Sequence, residues 1–145
     1  MSETPFPSTA ASLPVRVAIY LPSAPEPALT SASDIEAAVA KTLCELFGGV
    51  TAYPAKGTFA LASGRIQTEP VTVLEAYGER EAWEQHRDGV AAMARLLARL
   101  LGQESVGCSV DGKMVLVEAV EEDCSAIEKA PRPLDVYALL RGAID

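Results

Sequence analysis

The stretch LFGGVTAYPAKGTFALASGRIQTEPVTVLEAY, residues 46–77, carries the end of a helix, two strands and the turn between them. Gly48-Gly49 follows the apolar pair Leu46-Phe47, and glycine takes the left-handed backbone of a helix C-cap without a steric cost. Val50 to Leu61 reads as a strand that Pro54 kinks or confines to a sheet edge, because proline supplies no ladder amide. Ala62-Ser63-Gly64 is a short reversal with glycine where positive φ falls. Arg65 to Tyr77 returns as the partner strand, with Glu69-Pro70 expected to interrupt it as a bulge. Its second half is apolar on both sides, Val71 and Val73 on one and Leu74 and Ala76 on the other, which predicts a strand central to the sheet or covered on both faces.

Working outward towards the N-terminus, Ile35, Val39, Leu43, Leu46 and Phe47 recur at helical spacing. Ser33-Asp34-Ile35-Glu36 has the spacing of a capping box and predicts the helix start. Cys44 sits beside the apolar stripe and reads as a small packing residue, not a nucleophile. Upstream, Val15, Val17, Ile19 and Leu21 alternate with Arg16, Ala18 and Tyr20, the period of a strand with one oily face and one mixed face. Pro22, Pro25 and Pro27 end it in a stiff connection, and residues 1–13, without periodicity, read as a flexible lead-in.

Towards the C-terminus, a helix is predicted from Glu79 to Leu101, with Trp83, His86, Val90, Met93, Leu97 and Leu100 on one seam and Gly102 closing it. Ser105–Val110 and Lys113–Val120 flank Asp111-Gly112, a two-residue hairpin signal. Glu121-Glu122-Asp123 marks the exit, followed by a polar connector to Pro131 and Pro133. A last short helix then presents Leu134, Tyr137, Leu140 and Ile144. The order β-α-β-β-α-β-β-α predicts an α+β, ferredoxin-like split β-α-β sheet with two helices on one face and a C-terminal helix. The division is a lead-in (1–13), one core domain (14–120) and an acidic connector with amphipathic helix (121–145). The second sheet face starts bare. Tyr20, Leu74 and Ala76 are expected to make it partly apolar, and the terminal helix or a second copy of the chain to cover it.

A chain of 145 residues has room for one domain with a self-sufficient core. Acidic residues outnumber basic ones 20 to 12, for a net charge of −8. That opposes direct binding to nucleic acid, which needs clustered Lys and Arg. No apolar run approaches the length of a membrane span, and no charged n-region precedes an apolar stretch. The 3 cysteines, Cys44, Cys108 and Cys124, are scattered without CxxC spacing and read as reduced thiols of a bacterial cytoplasm.

Together, Leu46-Phe47-Gly48-Gly49 with Thr51, Gly57-x-Phe59, the mid-strand Glu69 and Gly102-Gln103-Glu104-Ser105-Val106 resemble an uncharacterised family of small bacterial α/β proteins, a domain of unknown function. Members of that family show a GG-x-T helix exit, a G-x-W strand, a return strand with a central Glu and a GQESV close. Phe59 stands here where tryptophan is common. The resemblance covers residues 15–118 and implies a compact α/β domain; it implies no activity, and residues after Glu118 extend beyond it.

Site candidates are few. His86 is the only imidazole, so any histidine proton transfer must use it, yet its place on the apolar seam favours packing at the core edge. Glu69, Glu75 and Tyr77 complete the catalytic candidates. Gln103 and Glu104, at a helix exit, serve either turn chemistry or the rim of a ligand pocket. Phosphate-loop, dinucleotide and nucleophile-elbow motifs do not occur, so neither a cofactor nor a metal centre is expected. The expectation is therefore a non-enzymatic module that binds a protein partner or itself as a homodimer. Its surface would comprise Arg16, Tyr20, Leu74, Ala76, Leu134, Tyr137 and Leu140, with Glu121, Glu122 and Asp123 steering the approach. The alternative is a cofactor-free small-molecule binder or small enzyme with a pocket between sheet and helices.

Overall fold

The structure, a computed structural model, describes residues 12–22 and 30–145. Most of the predicted lead-in and the Pro25–Pro27 connection lie outside the described residues. The elements are β1 (Val15–Pro22), α1 (Ala32–Phe47), β2 (Thr51–Ala60), β3 (Ile66–Gly78), α2 (Arg80–Leu100), β4 (Ser105–Val110), β5 (Lys113–Glu118), α3 (Glu122–Lys129) and α4 (Val136–Ile144). The sheet order is β2-β3-β1-β4-β5 and every neighbouring pair is antiparallel. Since β1 and β2 both run antiparallel to β3, they are parallel to each other with β3 inserted between them. That is the split β-α-β arrangement, and the protein is an α+β domain of ferredoxin-like fold.

Helix α1 starts two residues earlier than its sequence suggests. Ser31, not Ser33, is the N-cap, its hydroxyl accepting the Asp34 amide at 3.1 Å. The S-x-x-D spacing satisfies an otherwise orphaned first-turn donor just as well. At the other end Gly48 adopts φ 97° and donates its amide to the Cys44 carbonyl at 2.7 Å, closing the helix as expected. Strand β3 carries no bulge. Its register with β2 runs unbroken from Ala60↔Ile66 to Thr51↔Glu75. Pro70 is tolerated because it lies just past the Pro22↔Val71 pair that ends the ladder with β1, so β3 has only one neighbour there.

One sheet face is sealed by helices. Val15, Val17, Ile19 and Leu21 of β1, Leu74 and Ala76 of β3, and Val106 and Cys108 of β4 join Ile35, Val39 and Leu43 of α1 and Val90, Met93 and Leu97 of α2 in one core. Each Val, Leu, Ile or Met side chain among them contributes about 1.5–3 kcal/mol through burial. Leu74 and Ala76, at 0% and 1% exposure, therefore lie under the helices and not on the reverse face where the sequence reading put them. The register explains the difference: Ile19 faces Leu74 and Val17 faces Ala76, whereas Tyr20 faces Val73.

The terminal segment also departs from expectation. What reads as a polar connector contains α3, whose only buried residue is Ile127. Helix α4 packs against α1 and α2, burying Val136 and Leu140 in the same core. The Tyr137 hydroxyl donates to the Glu45 carboxylate at 2.7 Å, and the Lys41 ammonium lies 4.0 Å over the Tyr137 ring. Leu134 is half-buried against that core. The C-terminal helix is thus a third member of the helical layer and leaves the reverse of the sheet untouched. Cys44 is exposed, not packed.

Candidate functional site on the reverse face of the sheet

Strand alternation places Arg16, Ala18, Tyr20 and Pro22 of β1 on the reverse face, with Glu69, Val71, Val73, Glu75 and Tyr77 of β3 beside them. Ala18, Val71 and Val73 form a second small buried cluster, and Tyr20 leans on it. Around that cluster Tyr53, Phe59, Tyr77, Met114 and Leu116 remain exposed at 42–68%. No helix among the described residues covers them.

Two regions divide this face. Near the start of β1 there is a polar group: Arg16 lies 4.0 Å from Glu75, and the Tyr77 hydroxyl donates to the same carboxylate at 3.2 Å. The Tyr20 hydroxyl reaches Ser109 at 3.5 Å. Tyr53 has its phenol held above the ordinary range, first by partial desolvation on this face and then by the Glu75 carboxylate.

At the far end the β2–β3 hairpin extends past β1 and walls a cleft of about 580 Å³. Tyr20, Val71 and Gly107 line it together with Phe59 and Leu61 of the hairpin and Met114 and Leu116 of β5. Lys56, Thr58, Gln67, Glu69, Gln103 and Ser105 are its polar lining residues. The Phe59 ring lies directly over Gly57: a Cβ there would come within 2.7 Å of the ring and 3.0 Å of Val71. Glycine at 57 is what lets the ring form the cleft wall. Glu69 makes neither a hydrogen bond nor an ion pair with the described residues; Arg16 turns to Glu75.

The catalytic candidates fall into separate places. Glu75 and Tyr77 touch, Glu69 lies further along β3 at the cleft, and His86 belongs to the helical layer, its ring edge-on to Phe47 at 6.1 Å. No shared reaction centre joins them. Gln103 does line the cleft, while its amide donates to the Ala98 carbonyl at 2.8 Å, so cap and rim are one residue. Glu104 lines an adjoining recess with Arg99 and Glu118, and its carbonyl accepts the Ala119 amide at 3.0 Å.

Of the acidic residues at the exit of β5, Asp123 is the one that the chain partly covers. Glu121 pairs with Arg99 at 3.4 Å, and Asp123 is half-buried against α2. Burial pushes the Asp123 carboxyl above its ordinary range, opposed by Arg95. Glu121, its side chain 89% exposed despite the contact with Arg99, and Glu122 both stay in solvent. Tyr137, Leu134 and Leu140 are spent on the helical layer, so of the expected partner surface Arg16 and Tyr20 are the members that the reverse face presents. Residues that the sequence reading overlooked are Tyr53, Phe59, Met114 and Leu116. Their signal was alternation, since all fall on one parity within their strands, but parity assigns a face only once the register is known. Among the described residues no three metal-ligating side chains cluster, and no helix is long and apolar enough to cross a membrane.

No family model and no curated protein sequence matches the chain. Solved structures of similar fold do exist. A phage SAM lyase in complex with S-methyl-5'-thioadenosine shares 16% identity over 72% of this chain and 89% of that one, with a TM-score of 0.51. CutA from Pyrococcus horikoshii shares 12% over 90% of this chain and 99% of that one, at a TM-score of 0.43. The periplasmic divalent cation tolerance protein CutA from Archaeoglobus fulgidus shares 13% over 90% and 98%, at 0.44. At such identities the likeness concerns the fold alone.

Proposed function

We propose that this protein is a small non-enzymatic association module of the bacterial cytoplasm whose reverse sheet face packs against a protein surface, a second copy of itself in the first instance. One observation carries the reading: a sheet face with a buried Ala18–Val71–Val73 centre keeps Tyr53, Phe59, Tyr77, Met114 and Leu116 exposed around it. Contiguous apolar surface of this kind marks interaction sites on soluble proteins. Its aromatic and methionine content is that of an interface core, and the surrounding Arg16, Glu69 and Glu75 give a polar rim. The test is light scattering on eluted wild type against Tyr53→Glu and Phe59→Glu. The wild type should exceed the 15.3 kDa of one chain, and the charged variants should assemble less than the wild type, with unchanged circular dichroism. A wild type that stays at the single-chain mass at every concentration overturns the reading.

A second reading, a small-molecule binder, draws on the cleft. Gly57, Phe59, Glu69 and Gln103, four of the residues behind the resemblance to a family of bacterial α/β proteins, come from three separate segments and line it. Its volume of about 580 Å³ is in the range of ligand sites, and Glu69 offers an acceptor without a partner among the described residues. Saturable heat on titration with a small amine or nucleoside, lost in Glu69→Gln, would favour this over association.

A further inference from the structure

The outer edge of β5 is built differently from the opposite edge of the sheet. On β2 the edge contains Pro54, Lys56 and Gly57, devices that discourage strand addition. On β5 the run Met114-Val115-Leu116-Val117 lies between Lys113 and Glu118 with no such device, and no strand among the described residues pairs with it. Met114, Val115 and Leu116 are 53%, 46% and 68% exposed, and Leu116 is the most exposed of the large apolar side chains.

The hairpin geometry says which backbone groups are free. Asp111 and Gly112, at φ 51° and 83°, make a two-residue turn closed by the pair Val110↔Lys113. In such a turn the closing pair is hydrogen-bonded, and hydrogen-bonded and open pairs alternate along the ladder. Lys113, Val115 and Val117 therefore bond inward to β4. The Ala119 amide, which donates to Glu104 across the same ladder, keeps this alternation. Met114, Leu116 and Glu118 consequently point their amides and carbonyls outward.

From this pattern we infer that two copies of the chain pair antiparallel through β5, with Leu116 opposite its own counterpart on a two-fold axis. The inference goes beyond the association reading above: the contact is the edge of the sheet, and it leaves the reverse face of each copy open to packing. A two-fold perpendicular to the sheet keeps like faces together, so opposed residues must share parity. Only outward-bonding residues can bond across the axis. Several registers meet both conditions, and one of them uses all three outward residues on each strand: Leu116 against Leu116, Met114 against Glu118, and Val115 against Val117. Every free amide and carbonyl of the edge is then satisfied, and the most exposed large apolar side chain among the described residues is covered by its twin. Antiparallel pairing also brings the Lys113 end of one strand beside the Glu118 end of the other, whereas parallel pairing would set like charges together. The two sheets join into one, and the reverse faces of both copies become a continuous surface.

Amide exchange followed by NMR on the full chain tests this directly. In concentrated protein the Met114, Leu116 and Glu118 amides should exchange slowly, and dilution to the single-chain mass should make these three fast while Val115 and Val117 stay protected. Leu116→Pro removes an outward amide and should abolish pairing. Should that variant misfold, Leu116→Lys, which sets two ammonium groups across the axis, should be monomeric, as should Leu116→Glu, and mixing the two should restore a heterodimer. If the protein dimerises while the three amides remain fast and Leu116→Lys still dimerises, the edge is refuted and the association reading stands on the reverse face. A wild type that never associates, or one whose three amides are slow at every dilution, refutes the strand pairing as well.

Discussion

Asp111 and Arg16 hold each other by reciprocal bonds: the Arg16 amide donates to the Asp111 carboxylate at 2.8 Å, and the Asp111 amide donates to the Arg16 carbonyl at 2.8 Å. The turn between β4 and β5 is thereby fastened to the start of β1, the strand at the centre of the sheet. Arg80 of α2 adds a longer contact to the same carboxylate at 3.5 Å. Asp111 also takes a positive φ, 51°, which aspartate and asparagine tolerate better than most residues. Asp111→Ala should cost about 1–2 kcal/mol through the lost acceptor and the less tolerant backbone. Asp111→Asn should retain more than half of that. Urea unfolding of the two variants, fitted with a common slope, checks the order.

Leu74 separates the two sheet faces in a stability experiment. It is fully buried under the helices, so Leu74→Ala should destabilise by about 2–5 kcal/mol. Tyr53→Ser, on the reverse face, should change the stability of the single chain by no more than about 0.5 kcal/mol. Thermal and urea melts in dilute protein measure both. Equal losses would place the two residues in comparable surroundings, against the sheet register described above.

His86 touches Phe47 edge to face on the helical layer, away from both regions of the reverse face. His86→Ala should lower stability by about 0.5–1.5 kcal/mol, the usual worth of an aromatic pair, and leave self-association unchanged. A melt and a sedimentation run on the same sample separate the two effects.

The cysteines should differ in reactivity. Burial pushes the Cys108 thiol up to about 11, so the thiolate is scarce near neutral pH and access is blocked as well. A disulfide reagent at mildly alkaline pH should modify Cys44 rapidly and Cys124 more slowly, and reach Cys108 only after denaturant is added. Counting released thiolate with and without urea shows it.

Tyr137 links stability to alkaline pH. The hydrogen bond to Glu45 raises its phenol above the ordinary 10.0, with desolvation and the Glu45 charge adding to it. The fold therefore favours the protonated phenol. The resulting stabilisation is complete below the unfolded value and is lost as pH climbs through the folded one. Tyr137→Phe should remove part of the decline in melting temperature above pH 10, leaving a residual slope to which Tyr53 contributes.

Much of the architecture is legible in the residues, because each element carries its own punctuation. Gly48 ends α1, Gly64 turns β2 into β3, and Asp111-Gly112 fixes the last hairpin, so element order and the split sheet follow from local chemistry alone. What local chemistry does not encode is which side of a two-faced strand meets the helices. Val73 and Leu74 are equally apolar, and only the register with β1, Tyr20 to Val73 and Ile19 to Leu74, assigns them. Helix α3 escaped for a related reason: with Ile127 as its one buried residue, it shows no apolar period to detect. The cleft escaped because Phe59, Glu69, Gln103 and Leu116 are far apart in sequence and meet only when the β2–β3 hairpin reaches past β1.

Oxidative footprinting across a concentration series tests the central claim, that the bare sheet face is what this protein uses to associate. Tyr53, Phe59, Tyr77 and Met114 should lose reactivity together as the mass rises above one chain, while Leu13, exposed on the segment before β1, keeps its own. Uniform reactivity of those four side chains in protein that has demonstrably assembled would contradict it.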